Sequence, residues 1–174
     1  MTGSKLKNEN TNYVSYLIDL AKSGRQRAFI ELAEINLKNV FTVSYRLLAD
    51  YESAKKVTYK TFAYSWEHIK SFDKTISFPV WIKSLSIQFS IEELSQRLSD
   101  LRLPLETVGD LNEIEYLEYL IISLPITDRI IFVLHDLEGF SYREINAYFD
   151  DMIVDEVKTR LLGTRHYLME KLGL

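Results

Sequence analysis

Lys158, Thr159, Arg160 and Arg165 lie close together near the C-terminal end of this 174-residue chain, with Arg143 somewhat upstream. At helical spacing Lys158, Thr159 and Leu162 fall near one side, and Arg165 and His166 follow a turn or two later. Ammonium and guanidinium groups on the first turns of a helix bond phosphate oxygens and the edges of bases. The other candidate chemistry is thin. Cysteine is absent, which excludes disulfides and thiolate ligands. His68, His135 and His166 are far apart and lack ligand spacing, so no metal and no cofactor is expected. Asp50 with Glu52, and Asp150 with Asp151, are carboxylate pairs, but both sit at helix boundaries, where acidic residues serve as caps. There is no nucleophile elbow and no glycine loop to cradle phosphate. The chain reads as a non-enzyme with no catalytic residue.

The charge is unevenly placed. Net charge is −4, which runs against a simple polyanion binder. Residues 25–98 carry 11 Lys+Arg against 8 Asp+Glu, residues 99–115 carry 1 against 5, and residues 116–174 carry 6 against 10. The first block could face a polyanion broadly, the last only locally. No apolar run approaches the ~20 residues a membrane span needs, and Met1 to Asn12 is polar, so neither membrane insertion nor a secretory signal is expected.

Helices must position these groups. Phe29, Leu32, Ala33, Val40, Phe41, Leu47 and Leu48 mark one face of a long helix. A second is expected from about Glu52 to Lys70, with Val57, Phe62, Trp66 and Ile69 inward, and a third from Phe78 to about Leu98, after Ser77 and with Pro79 in its first turn. Pro104, Gly109 and five acidic residues then suggest a linker. Beyond it, helices are expected over about Ile114–Ile122 and Thr127–Leu137. The latter stops at Gly139, and Ser141 with Glu144 forms a capping box for a short helix ending near Phe149. Asp150-Asp151-Met152 turns the chain into a last helix over about Ile153–Leu172. Short helix, tight turn, longer helix is the order of a helix-turn-helix. The fold class is all-α: two small helical domains, residues 13–98 and 116–174, joined by an acidic linker over 99–115.

The order and spacing of several motifs resemble a family, the sigma factors of the extracytoplasmic-function type. Ala28-Phe29 with Leu32, Arg46-Leu47-Leu48-Ala49-Asp50, then Ala54, Phe62, Trp66, Phe72, Asp73, Phe78 and Trp81-Ile82 resemble the promoter-melting domain. Leu124-Pro125, Arg129, Leu137-Glu138-Gly139-Phe140-Ser141-Tyr142, Glu144-Ile145, Val157-Lys158-Thr159-Arg160-Leu161 and Arg165 resemble the promoter-reading domain. Together they span about Ile18 to Leu172.

The resemblance implies a promoter-recognition subunit whose partners are RNA polymerase core, promoter DNA and an anti-sigma factor, working in the cytoplasm. The first domain would dock on a coiled coil of the polymerase through Lys55, Lys56, Tyr59 and Lys60, where the family usually shows acidic residues and Gln-Glu. It would also hold separated DNA with Lys70, Lys74 and Lys83 as cations and Tyr64, Phe72 and Phe78 as stacking candidates. The second would read duplex with Lys158, Thr159, Arg160 and Arg165, while Arg143 holds a phosphate. A second reading is a sigma-like companion that binds a protein partner without initiating by itself, motivated by the lysines on α-helical docking positions. A stand-alone helix-turn-helix repressor is a third, and leaves the first domain unexplained.

Overall fold

A computed structural model describes residues 2–96 and 112–174, and among these every regular element is helical. In chain order they are α1 (Thr2–Lys22), α2 (Gln26–Leu48), α3 (Tyr51–His68), α4 (Phe78–Gln96), α5 (Glu113–Ser123), α6 (Ile126–Phe132), α7 (Tyr142–Asn146) and α8 (Val154–Leu172). A 3-10 turn, Ile69–Ser71, follows α3, and a π-helical turn, Val133–Leu137, follows α6. Most of the segment expected as a linker lies outside the described residues. Its last part does not stay irregular: Asn112 accepts from the backbone N–H groups of Ile114 and Glu115 while Glu115 reaches back, and this capping box starts α5 at Glu113.

The turn from α2 to α3 is tight because each helix end is satisfied locally. Ala49 takes the left-handed conformation, φ 51°, and its N–H bonds the carbonyl of Tyr45 at 2.7 Å. Asp50 then caps α3 by accepting from the backbone N–H of Ser53 at 2.9 Å. α3 is buried along Ser53, Ala54, Val57, Thr58, Thr61 and Ser65. The hydroxyls of Thr58, Thr61 and Ser65 each donate to the carbonyl four residues back, at 2.7, 2.8 and 2.5 Å. Small, internally satisfied side chains let α3 sit close against α2 and α4. α4 answers with Ser86 and Ser90, also buried and also bonded to their own helix.

Two apolar clusters result. One gathers α1, the first half of α2 and the ends of α3 and α4: Leu17, Ile18, Phe29, Leu32, Ile69, Phe72, Phe78 and Ile82, with Trp66 and Trp81 partly buried against them. The other joins Val43, Leu47, Leu48, Val57, Ile87 and Leu94 to Leu120, Ile121, Ile131, Leu134, Ile145, Val157 and Leu161. It therefore runs from the first half of the chain into the second. Arg46 forms an ion pair with Glu118 across this junction, its Nε 2.9 Å from Oε2. Lys83 on α4 pairs with Glu138 at 2.5 Å.

Candidate nucleic-acid interface

The second half builds its surface from α7, the turn after it and α8. Gly139 closes the π turn in a left-handed conformation, φ 78°, which glycine adopts freely. Ser141 Oγ accepts from the backbone N–H of Glu144 at 3.3 Å, and the Ser141 N–H donates to the Glu144 carboxylate at 2.8 Å. These bonds from Ser141 hold the Glu144 carboxyl below its ordinary pKa. Ile145 is fully buried and anchors α7. Val157, Leu161, Thr164 and Leu168 bury one face of α8, spaced as a helix requires. The exposed remainder of the helix carries Lys158 on the flank toward α7, Arg160 on the flank toward α6 and Thr159 between them. Arg143 is exposed on α7, and Arg165 is half-buried.

These cations are mostly paired within the chain. Lys158 bonds Asp155 at 2.9 Å, and its ammonium lies 5.9 Å from the centre of the Tyr142 ring. Arg160 stands between Glu156, at 3.0 Å, and Asp128 of α6, at 3.1 Å. Both carboxylates raise its pKa, Glu156 foremost. Arg165 donates to both oxygens of Asp136, at 2.8 and 2.5 Å. Burial pushes the Asp136 carboxyl up, but the bonds from Arg165 and His135 outweigh it and hold the group below its ordinary value. His135 in turn stacks on Tyr142, ring centres 4.6 Å apart. Thr159 spends its hydroxyl on the carbonyl of Asp155.

Beneath this surface lies Arg129 of α6. It is only 3 % exposed. Its guanidinium bonds the carbonyls of Leu47 at 3.1 Å and Ile122 at 2.7 Å, with Leu124 at 3.4 Å. Burial pushes its pKa down to about 10, so it remains charged at neutral pH.

In the first half, the candidate cations separate. Lys70 is exposed on the 3-10 turn. Lys74 bonds Asp19 at 2.7 Å, and Lys83 turns to Glu138 in the second half. Of the stacking candidates, Phe72 and Phe78 serve the core, as aromatics in small helical domains mostly do: they are 4 % and 1 % exposed and packed edge to face with rings 5.8 Å apart. Only Tyr64 reaches the surface, stacked on His68. On α3, Lys55, Lys56, Tyr59 and Lys60 are all exposed. Lys56 pairs with Glu93 at 3.1 Å and Lys60 with Glu92 at 3.0 Å, while Lys55 lies 3.7 Å from Glu52. The lysines that replace the family's acidic residues are thus answered by carboxylates of α4 and of α3 itself.

A family profile, Sigma-70, region 4, matches residues 114–150, from α5 into the turn before α8. The likeness is not confined to that half. The ECF RNA polymerase sigma factor SigW of Bacillus subtilis (strain 168) is 24% identical over 177 residues, covering 89% of this chain and 94% of the relative. The chain is similar, over most of its length, to a sigma factor of the extracytoplasmic-function type. The fold of the chain matches two solved structures. The structure of CnrH in complex with the cytosolic domain of CnrY aligns with a TM-score of 0.57 at 21% identity, over 92% of this chain and 97% of that one. The sigma factor RpoE in complex with the anti-sigma factor NepR, from Bartonella quintana, aligns at 0.58 and 17% identity, over 84% and 97%. The described part of the chain holds no helix long and apolar enough to cross a membrane.

Proposed function

We propose that this chain is a sigma factor that carries RNA polymerase core to a defined set of promoters by placing α8 in the major groove of the upstream element, without catalysing a reaction itself. The observation that carries this reading is the exposure of Lys158, Thr159 and Arg160 on the first turns of α8, presented behind a capped α7 and a tight turn. Arg143 supports α8 with a phosphate contact. Residues 13–98 form the polymerase-docking and strand-melting domain, with Lys55, Lys56, Tyr59 and Lys60 at the docking face and Lys70, Lys74 and Lys83 near the separated strand. The acidic segment before α5 links it to the promoter-reading domain, which begins with α5. A partner of polymerase acts in the cytoplasm, and an anti-sigma factor is a further partner, since both solved relatives were captured with a protein bound.

The test is a footprint of the reconstituted holoenzyme. Lys158→Ala with Arg160→Ala should abolish protection of the upstream element while the protein still co-purifies with core polymerase at low salt. Retained protection would overturn the assignment of α8. Failure of the unaltered protein to bring down core would favour the companion-protein reading.

A further inference from the structure

The cations of α8 are covered by acids in a pattern that local sequence alone does not produce. Asp155 and Glu156 come from α8 itself, but Asp128 comes from α6 and Asp136 from the π turn. Arg160 is held by two carboxylates from two different helices. The side chains of Asp155 and Glu156 are 82% and 44% exposed, so these pairs sit in solvent, where ion pairs exchange readily. Arg143, by contrast, has no carboxylate partner in the described structure.

A phosphate approaching Lys158 or Arg160 therefore replaces a carboxylate instead of meeting a bare cation. The displaced carboxylate stays on the same surface and repels the phosphate it has yielded to. Sequence-independent attraction to duplex depends almost wholly on phosphate neutralisation. Bonds to base edges depend on geometry and lose less.

Accepting that α8 meets duplex, as argued above, we propose that Asp128, Asp155 and Glu156 form an intramolecular anionic screen that suppresses binding of this sigma factor to DNA of arbitrary sequence. The screen is a specificity determinant: it removes the part of the affinity that every site on a chromosome would share.

The experiment measures binding of the full chain to a fluorescent duplex of random sequence, by anisotropy, across a series of salt concentrations. Asp155→Asn with Glu156→Gln should tighten binding about tenfold at low salt and steepen the dependence of log affinity on log salt by about one to two phosphates. Adding Asp128→Asn should tighten it further. Glu34→Gln with Glu67→Gln removes the same number of charges from exposed positions on α2 and α3 and sets the baseline for net charge alone. Lys158→Ala with Arg160→Ala, in the neutralised background, should abolish the gain. A gain no larger than the baseline, or one that survives loss of Lys158 and Arg160, overturns the screen. If the alanine pair weakens the unaltered protein yet neutralisation brings no gain, the screen fails and the placement of α8 stands. If the alanine pair changes nothing in either background, the placement itself fails. Thermal melting of each variant confirms that an unchanged affinity is not the result of unfolding.

Discussion

Arg129 on α6 donates from Nε to the carbonyl oxygen of Leu47, the penultimate residue of α2, at 3.1 Å. The same group reaches the carbonyls of Ile122 and Leu124 at the end of α5. One buried guanidinium thus closes the ends of two helices from opposite halves of the chain. Arg129→Met keeps much of the bulk and strips every donor, leaving helix-end carbonyls unmet. The expected loss is about 2–4 kcal/mol, read as a lower urea midpoint at unchanged slope. Arg129→Lys should recover only part of it, because one ammonium cannot span what a planar fork does. An unchanged midpoint for the methionine variant would contradict this account.

Ser141 holds the entry to α7 through two reciprocal bonds with Glu144. Ser141→Ala should cost about 1 kcal/mol. Because α7 is so short, the cost should show as faster amide exchange at Glu144 and Ile145 before the global melting temperature moves.

The Asp136 carboxyl lies below its ordinary value of 3.8 in the folded chain. The unfolded chain therefore takes up a proton first as pH falls. The stability this carboxylate contributes is complete above the ordinary value and is lost as pH drops through the folded one. Asp136→Asn should accordingly be less stable than the parent at neutral pH, with the gap narrowing from about pH 5 to about pH 3. Paired thermal melts at several pH values measure it, and a gap that widens on acidification would reverse the assignment.

Most of the helices were legible in the sequence, and so was the helix-turn-helix. α2, α6 and α8 alternate large apolar and polar residues at helical spacing, and Ser141 with Glu144 marks a boundary unambiguously. α3 is harder to read because its buried face is made of Ser53, Thr58, Thr61 and Ser65, which look polar until their hydroxyls are seen bonded to their own helix. The burial of Phe72 and Phe78 follows from aromatic character alone, but that α1 and α2 close over them is not announced by any local pattern. The same holds for Asp128 and Asp136: each is an ordinary acid in sequence, and only packing of α6 and the π turn against α8 brings them to Arg160 and Arg165. Nor could the linear charge pattern reveal that Glu92 and Glu93 answer Lys60 and Lys56.

That last pairing separates folding from docking. Lys56→Glu with Lys60→Glu should destabilise by about 1–2 kcal/mol, since both lysines are exposed, with Lys56 the costlier because Glu93 is mostly buried. Adding Glu92→Lys and Glu93→Lys should restore most of the loss in a chemical-denaturation cycle. If α3 is the polymerase-docking face, the fourfold variant should be folded yet fail to co-purify with core. Full retention of core binding would remove these lysines from the interface.

The π turn over Val133–Leu137 is closed by a bond from the Glu138 N–H to the Val133 carbonyl, five residues back, at 3.1 Å. It accommodates one residue more than an α-helical turn would. Each helical residue advances the chain by about 100° of rotation, so excising one there would swing α7 and α8 to a new bearing relative to α2. Chain length in this short stretch, more than the identity of its side chains, sets the compass heading of α8.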